Sequence, residues 1–459
     1  MDALRRQILG AGLALGAGAA ALASGPRQAR AAETGGLGVS VTSFGVDPAS
    51  KADQSQAFQQ AIDTAAEAGT ALLIPPGRYL VANLSLHSGT VLIGVEGLSW
   101  LDFAGGASFL AGDKAHGLIL DGLVLDGSWR AVGGGGADAL LSITGSELIA
   151  LRRLTIRGGH GNGIALRGCA GQVTDSLIED CGAAAILALD STGLEIAHNR
   201  ISKIGNNGIQ VWRSETGEDG TTVLGNRIAG VEARGGGTGE NGNGVSLFRA
   251  GSVLVSGNRI TDCAFSAVRA NASSNAQMIG NSCERIGEVA LYAEFAFEGV
   301  VISSNLVDGA AQGVSVTNFN EGGRLAVVSS NLVRNLVRRE ESEDKRGVGI
   351  SVEADASITG NVVESAPTAG ILVGWGAFKR DVAVIGNLVR KAKVGIGISS
   401  DPEGGLVFVS QNMIAVSADG AIRAMDGLAP LGPDLTRASA EAYPNFAILA
   451  NVATGSAAD

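Results

Sequence analysis

Residues 199–211 read Asn-Arg-Ile-Ser-Lys-Ile-Gly-Asn-Asn-Gly-Ile-Gln-Val, and this pattern of residue types returns along most of the 459-residue chain. Its first asparagine recurs at intervals of 23 to 32 residues, at Asn199, Asn226, Asn258, Asn281, Asn305, Asn331, Asn361, Asn387 and Asn412. Each asparagine is followed two positions later by an apolar β-former or Cys. A repeat length in the twenties is typical of a solenoid built from similar turns. The sequence therefore predicts an all-β chain in which each repeat is one coil of a parallel β-helix.

Each coil is interpreted as three short strands. The first strand is led by Gly or Ala, the second ends at the asparagine, and the third follows it. We call the sheet of first strands the first-strand sheet; its predicted inward residues are Ile164, Ile186, Ile209, Val245, Val268, Leu291, Val314, Ile350, Ile371, Ile396 and Ile422. Coils that stack about 4.8 Å apart would place the asparagines in a hydrogen-bonded ladder. Because their surroundings repeat, the asparagines are predicted to be structural.

The amino terminus is typical of an export signal. Arg5-Arg6 precede a weakly apolar run, and Ala29-Arg30-Ala31 is a cleavage site of the A-x-A type, so residues 1–31 are predicted to be removed. The paired arginines favour the twin-arginine export machinery and a periplasmic or secreted location, with an ordinary secretory signal as the alternative. No later stretch approaches about 18 unbroken apolar residues, so no membrane span is expected in the mature chain.

The remaining chain is predicted to form three parts. Residues 32–80 supply an amino-terminal strand and a capping helix over residues 53–68, with Asp53 as its N-cap. Residues 81–427 form the β-helix. Three prolines interrupt the pattern after it, so residues 428–459 are predicted to be a carboxyl-terminal cap and tail.

Charge and cysteine content narrow the range of partners. The chain carries a net charge of −11, and loss of four Arg and one Asp with residues 1–31 gives −11 − 3 = −14, which makes nucleic acid a poor partner. No CxxC or His/Cys cluster is present in the sequence, so no metal or other cofactor is expected. Cys181, Cys263 and Cys283 align with inward positions and are predicted to be buried thiols, whereas Cys169 is left open.

Three segments near the amino terminus resemble the opening of pectate-lyase-like right-handed parallel β-helix proteins: Phe44-Gly-Val-Asp, Gln56-Ala-Phe-Gln-Gln-Ala-Ile-Asp and Ile74-Pro-Pro-Gly-Arg-Tyr. That superfamily includes pectate lyases, polygalacturonases, alginate-modifying enzymes and phage tailspikes. With its twin arginines and Asn-marked repeats, the chain also resembles a family of twin-arginine-translocated repeat proteins of unassigned function. The resemblance covers nearly the whole chain and implies a single-stranded, right-handed helix, while it leaves the activity open.

The outward side of the first-strand sheet is the predicted ligand surface. Side chains alternate along a strand, so the neighbours of each inward residue should face solvent. Trp212, Phe248 and Tyr292 fall on this side, and aromatic rings suit the apolar faces of sugars. The predicted substrate-binding residues are Gln210, Trp212, Arg213, Phe248, Arg249, Asn271 and Glu353.

Insertions interrupt the repeat at residues 214–222, 232–243 and 338–347. Because insertions in solenoids collect on the binding face, these three are expected to wall a groove over the first-strand sheet. The alternative for residues 338–347 is a solvated charged loop.

Arg269, Tyr292 and Glu294 are the predicted catalytic residues. A uronate lyase or epimerase needs a base and a cation, either of which Arg269 would supply, with Tyr292 as proton donor. A glycoside hydrolase needs two carboxyl groups, and Glu294 and Glu353 lie two coils, or about 10 Å, apart. Of the polygalacturonase motifs the chain has only Gly159-His160-Gly161. The remaining alternative is that Arg–Glu and aromatic pairs simply stabilise the sheet.

Taken together, these features predict an exported β-helix protein that binds polysaccharide or oligosaccharide on the first-strand sheet. Lyase or epimerase chemistry on uronic acids is the enzymatic hypothesis. The alternatives are a non-catalytic carbohydrate-binding or cell-envelope structural repeat protein and a glycoside hydrolase.

Overall fold

The structure is a computed structural model that describes residues 38–133, 138–339 and 346–455. The expected export signal, residues 1–31, lies outside the described residues. Within those described ranges, no helix is long and apolar enough to cross a membrane.

One α-helix, α1 at Ser55–Glu67, packs at the amino-terminal end of the described chain after a short 3-10 helix at Val41–Phe44. Its buried stripe consists of Phe58, Ala61, Ile62 and Ala65, as the helical spacing predicts. The helix begins two residues later than predicted, with Gln54 at the N-cap. Asp53 instead accepts a hydrogen bond of 2.8 Å from the backbone N of Ser55 in a local turn before the helix.

The chain then winds into the predicted right-handed β-solenoid, which has about 14 coils. Each complete coil contributes a strand to each of three faces, and each of these strands pairs in parallel with its counterpart one coil away. The second strands are Val39–Ser40, Leu72–Ile74, Val91–Gly94, Ile119–Asp121, Ile149–Arg152, Gly171–Thr174, Glu195–Ala197, Thr222–Leu224, Leu254–Ser256, Ala276–Ile279, Glu298–Ser303, Arg324–Ser329, Ala354–Thr359, Arg380–Ile385, Val407–Ser410 and Phe446–Leu449.

The third and first strands meet at a shallow corner. Separate third strands are Gly77–Val81, Ser99–Phe103, Leu123–Asp126, Thr155–Gly159, Leu177–Cys181, Arg200–Ile204, Arg227–Val231, Arg259–Cys263, Leu332–Arg334, Met413–Ala415 and Val452–Thr454. Separate first strands are Leu84–Leu86, Leu110–Asp113, Ala139–Thr144, Asn162–Arg167, Ala184–Leu189, Asn207–Glu218, Asn243–Gly251, Val268–Asn271, Val348–Val352 and Ile422–Asp426. Four strands run through the corner and serve as both: Ser282–Glu294, Leu306–Val316, Val362–Val373 and Leu388–Ser399. A short 3-10 helix, Phe319–Glu321, and a strand, Ala429–Leu431, lie in connecting segments.

The main core is a continuous apolar cluster along the solenoid axis. All eleven residues predicted to point inward from the first-strand sheet are fully buried, which confirms the strand register. The four cysteines are also buried and free, as predicted for three of them. The Cys169 thiol donates to the carbonyl of Ile143 at 3.4 Å, so it too belongs to the core.

The asparagine ladder has the predicted hydrogen bonds. At Asn305, the side-chain Oδ1 accepts from the backbone N and the Nδ2 of Asn281 at 2.8 and 3.1 Å, and its own Nδ2 donates to Met278 O and Asn331 Oδ1 at 2.9 Å each. The other rungs repeat this arrangement. The ladder gains a tenth rung at Asn451, whose Oδ1 accepts from Asn412. The repeat pattern missed Asn451 because it stands 39 residues after Asn412, beyond the usual interval.

The coils extend beyond residues 81–427 at both ends. Leu72–Ile74 already pairs as a second strand, and Phe446–Leu449 and Val452–Thr454 continue the parallel sheets where a cap was expected. The three prolines lie in the segment between residues 429 and 445, which is inserted into a coil and does not end the solenoid.

Candidate functional site

The outward side of the first-strand sheet carries two columns of side chains in parallel register. One column stacks Gln210, Ser246, Arg269, Tyr292, Ser315 and Ser351. The other stacks Trp212, Phe248, Asn271 and Glu294. The structure thus brings Arg269, Tyr292 and Glu294 together: Arg269 lies opposite Tyr292, and Asn271 lies opposite Glu294.

Much of this surface is covered instead of facing solvent as expected. Glu294 is only 1% exposed and Ser315 only 2%. The insertion at residues 232–243 lies against the sheet so closely that a Cβ on Gly239 would overlap the Arg269 guanidinium. The alternation of strand side chains correctly gave the direction of each residue, but the insertion then covers Arg269.

Arg269 and Glu294 form a buried ion pair. Arg269 Nε donates to Glu294 Oε1 at 2.6 Å, and Asn271 Nδ2 donates to the same oxygen at 2.9 Å. Burial alone would lower the pKa of Arg269, but the hydrogen bond and charge of Glu294 leave that pKa above its ordinary value. This pairing argues against Arg269 as a base and against Glu294 as a free carboxylate.

A cavity of about 210 Å³ opens next to this pair, on the carboxyl-terminal side. Its lining includes Tyr292, Arg346, Ser351, Glu353 and Trp375. Burial, together with the charge of Glu294, raises the pKa of Tyr292 to about 12, so its hydroxyl stays protonated at neutral pH.

Arg346 is the cation of this cavity. Its Cζ lies 6.0 Å from the centre of the Tyr292 ring, a distance at the limit of a cation–π contact. Its Nη1 donates to Gln312 Oε1 at 3.1 Å, and its Nη2 lies 3.3 Å from Glu288 Oε1. Gln312 and Glu288 thereby hold the guanidinium at the cavity edge.

Glu353 supplies the carboxyl group of the cavity. Its Oε2 accepts a hydrogen bond of 2.7 Å from the backbone N of Phe319. Burial raises the pKa of Glu353 to about 7, although that hydrogen bond opposes the change. A carboxyl group with this pKa exchanges protons near neutral pH, which suits acid–base catalysis.

The same carboxyl group should make folding stability depend on pH. The unfolded pKa of Glu353 is ordinary, 4.5, and the folded pKa is about 7, so the folded chain favours the protonated form. Its stabilising effect is complete below pH 4.5 and is lost as the pH rises to about 7. We expect the free energy of unfolding to fall by roughly 2 kcal/mol over this window, less than the full gap because the side chain borders an open cavity. Urea unfolding at a series of pH values should show this fall in the native chain and not in Glu353→Gln; parallel pH profiles would contradict it.

A second cavity, of about 360 Å³, lies on the amino-terminal side of the ion pair. Trp212 and Phe248 line it in an edge-to-face arrangement with ring centres 6.0 Å apart, and Trp212 Nε1 donates to Ser246 Oγ at 3.1 Å. Arg269 and Asn271 line its inner side. The two cavities therefore follow one another along the sheet, with the Arg269–Glu294 pair between them.

Three predicted binding residues line neither cavity: Gln210, Arg213 and Arg249. The insertion at residues 214–222 prolongs a first strand past an irregularity after Trp212 and does not wall the groove. Arg213 accordingly turns to the carbonyl of Ser191 at 3.3 Å. Arg249 stacks 4.7 Å from the Phe248 ring centre at the rim.

The sequence pattern missed Glu288, Gln312, Arg346 and Trp375. Gln312 occupies the position where other coils have Asn207 and Asn243, so comparing the coils at that position would have revealed it, whereas Glu288 stands one residue before that position at a register irregularity. Arg346 belongs to the charged insertion at residues 338–347, part of which lies outside the described residues. Trp375 follows a strand end and carries no pattern of its own.

Two other features are weaker candidates for a functional site than the two cavities. A wider hollow on the second-strand side is lined largely by Val300, Val301, Leu325 and Val327, and its Asp355 is already bound by Arg380 at 2.6 Å. His160 Nδ1 lies 2.8 Å from Asp138 Oδ2, away from both cavities. Within residues 38–133, 138–339 and 346–455, no three His, Cys, Asp or Glu side chains are grouped as a metal site would require.

Known families and structures match the fold. The right-handed β-helix region family matches residues 139–235 and 207–389, together more than half of the chain. The family described as rhamnogalacturonase A/epimerase, pectate lyase-like, matches residues 38–115. No curated protein is significantly similar in sequence.

Similar solved structures share little sequence identity with the chain. The pre-mature gene product 12 of bacteriophage phi29 is 12% identical, with a TM-score of 0.53, over 92% of this chain and 72% of that one. The GH87 α-1,3-glucanase catalytic unit of Streptomyces thermodiastaticus is 15% identical, with a TM-score of 0.45, over 92% and 70%. The A-module of the Azotobacter vinelandii mannuronan C-5 epimerase AlgE4 is 17% identical, with a TM-score of 0.35, over 91% and 96%. At these identities, the phage protein supports the fold alone.

Proposed function

The chain belongs to the right-handed β-helix family of pectate-lyase-like proteins, and from that starting point we propose that it binds an acidic polysaccharide along the first-strand sheet and modifies it by lyase or epimerase chemistry. The observation that carries the proposal is that Tyr292, Arg346 and Glu353 line the same cavity, the one of about 210 Å³. Those three residues supply a proton donor, a cation and a carboxyl group that ionises near neutral pH. The match to the rhamnogalacturonase A/epimerase family supports the substrate class, but it covers only residues 38–115.

The reaction starts with removal of the proton next to the sugar carboxylate. Ionised Glu353 takes that proton, and the electron pair moves into the carboxylate, which becomes an enolate. The Arg346 guanidinium stabilises the added negative charge. In a lyase, the enolate collapses, the bond to the leaving oxygen breaks and Tyr292 protonates that oxygen. In an epimerase, Tyr292 returns a proton to the carbon from the opposite face.

Arg269 and Glu294 act in this scheme as positioning residues. The Arg269 Cζ lies 5.2 Å from the centre of the Tyr292 ring, and Glu294 fixes the guanidinium there. The stretch from Trp212 and Phe248 to this point would bind neighbouring sugars by stacking. Glu353, first predicted to bind substrate, thus moves to the acid–base role.

The test is turnover of a panel of polyuronates by the native chain and by Glu353→Gln and Tyr292→Phe. We expect each variant to lower turnover by about a hundredfold or more, as loss of a proton-transfer group does, with polymer binding retained. Release of unsaturated uronate reports the lyase, and solvent deuterium incorporation without chain cleavage reports the epimerase. Glu298→Gln, an exposed carboxylate outside both cavities, is the control and should leave turnover unchanged.

The raised pKa of Glu353 also favours a second candidate, a glycoside hydrolase with Glu353 as general acid. Its second carboxyl group would be Glu294, which Arg269 and Asn271 already occupy. New reducing ends without unsaturated sugar would support hydrolysis. Binding without turnover of any substrate would support a non-catalytic carbohydrate-binding or envelope protein. Periplasmic or secreted location through Arg5-Arg6 is likewise proposed, on the sequence alone.

A further inference from the structure

Three arginines stand one above another on the outward side of the third-strand sheet. Arg200, Arg227 and Arg259 occupy the same position in consecutive coils and are paired in parallel register. Each directly follows a ladder asparagine, so coil stacking places neighbouring arginines about 4.8 Å apart at their backbones. All three side chains are exposed.

The three arginines differ in their acidic partners. Arg259 Nη2 lies 3.1 Å from Glu284 Oε2. In the part of the chain that the structure describes, no carboxylate lies within 4.0 Å of Arg200 or Arg227. Like charges stacked on adjacent strands destabilise a sheet. The arginine row therefore lowers the stability of the fold, and its presence needs a reason other than folding.

The charged residues of the neighbouring column on the same sheet are paired with opposite charges, which makes the arginine row unusual. In the neighbouring column, Arg157 lies 3.7 Å from Asp126, Arg334 lies 2.7 Å from Asp308, and Arg390 lies 3.7 Å from Glu364. Ser202, Ala229 and Thr261 fill that column beside the three arginines. A chain of net charge −11 therefore concentrates unpaired positive charge at one place on this sheet.

The small side chains make this place a shallow trough. Its lining consists of the three arginines, Ser202, Ala229, Thr261 and the adjoining Ile201 and Ile228. In the column beside the arginines, Glu179 precedes Ser202 and Glu284 follows Thr261, so carboxylates mark both ends. The positive surface is thus one chain wide and three coils, or about 10 Å, long.

We infer that this trough, formed by Arg200, Arg227 and Arg259 over Ser202, Ala229 and Thr261, is a binding surface for a linear acidic glycan lying along the solenoid axis. A chain that presents one carboxylate roughly every 5 Å would place one opposite each guanidinium, and guanidinium groups pair with carboxylates through two parallel hydrogen bonds. The surface lies on a different sheet from the two cavities and does not depend on their chemistry.

The dimensions favour a glycan over other polyanions. A bilayer or a nucleic-acid duplex would press on a wider area and meet Glu179 and Glu284. Single-stranded nucleic acid is held largely by base stacking on aromatic rings, and the lining of the trough contains none. A narrow acidic sugar chain is compatible with both features.

Calorimetric titration with oligogalacturonate and with the same oligomer after carboxyl reduction tests this inference. The variants are Arg200→Gln/Arg227→Gln, Trp212→Ala to weaken the first-strand cavity, and their combination. We expect the double arginine variant to lose about tenfold in affinity per arginine at the trough, while Trp212→Ala retains this binding and the reduced oligomer does not bind there. Arg390→Gln, an exposed and paired arginine on the same sheet, should bind as the native chain does.

Several results would overturn the assignment. One is oligogalacturonate affinity that is unchanged by Arg200→Gln/Arg227→Gln and lost only with Trp212→Ala, which would leave the first-strand cavity as the binding site. Another is arginine-dependent binding of phosphatidylserine vesicles or single-stranded DNA without binding of the acidic sugar. The double variant should unfold at the same or a higher urea concentration than the native chain, because it removes adjacent like charges. With that result, a loss of binding cannot be attributed to misfolding.

Discussion

Replacing Asn305 by alanine is expected to lower the free energy of unfolding by about 4 kcal/mol. The side chain is buried in the middle of the asparagine ladder, and its loss leaves the backbone N of Asn281 without the acceptor it has in the ladder and removes a donor from the carbonyl of Met278. Each buried polar group left unsatisfied costs about 1–3 kcal/mol. Urea unfolding followed by circular dichroism measures the change.

The matched control is Asn320→Ala. Asn320 is exposed, and the only side-chain hydrogen bond that it makes among the described residues is one of 3.4 Å to its neighbour Glu321. Its removal should change the free energy of unfolding by less than about 0.5 kcal/mol. Equal effects at Asn305 and Asn320 would show that the ladder does not stabilise the solenoid.

Arg269→Ala should destabilise the chain by about 3–5 kcal/mol, because it leaves the Glu294 carboxylate buried with Asn271 as its one remaining hydrogen-bond partner among the described residues. The double variant Arg269→Leu/Glu294→Leu removes both charges and should recover most of that loss, since apolar replacement of a buried pair is often close to neutral. Thermodynamic cycles built from urea unfolding of the single and double variants measure the coupling.

Arg334→Ala is the comparison for an exposed pair. Arg334 binds Asp308 through Nε at 2.9 Å and Nη2 at 2.7 Å, but its side chain is 45% exposed. We expect a loss below about 1 kcal/mol. If Arg269→Ala costs no more than Arg334→Ala, then Glu294 is stabilised by something other than Arg269.

The repeat pattern predicted the fold well because every stacked coil needs the same residue types at the same positions. An Ile or Val such as Ile209 or Val314 must enter the core in every coil, and an asparagine must close every corner. Aligning these positions gave the register, the two outward columns and the proximity of Arg269, Tyr292 and Glu294.

The way in which loops cover the two outward columns of the first-strand sheet could not be predicted from the repeat. Gly239 lies on Arg269 and Phe319 binds Glu353, but both belong to loops without a period. The contact between Arg346 and Glu288 joins residues 58 positions apart in sequence, and it depends on how one such loop folds back onto the sheet. Burial by these loops changes the ionisation of Glu353, so the acid–base role could be assigned only once the loops were placed.

The ladder also bears on how proteins of this shape diversify. Successive rungs make the same amide contacts whether they are separated by 23 residues, as for Asn258 and Asn281, or by 39, as for Asn412 and Asn451. Loop length is thereby uncoupled from register, and lengthening a loop carries only a small entropic penalty. Natural variation can therefore insert or delete surface segments without refolding the core, so new specificities can evolve on an inherited scaffold.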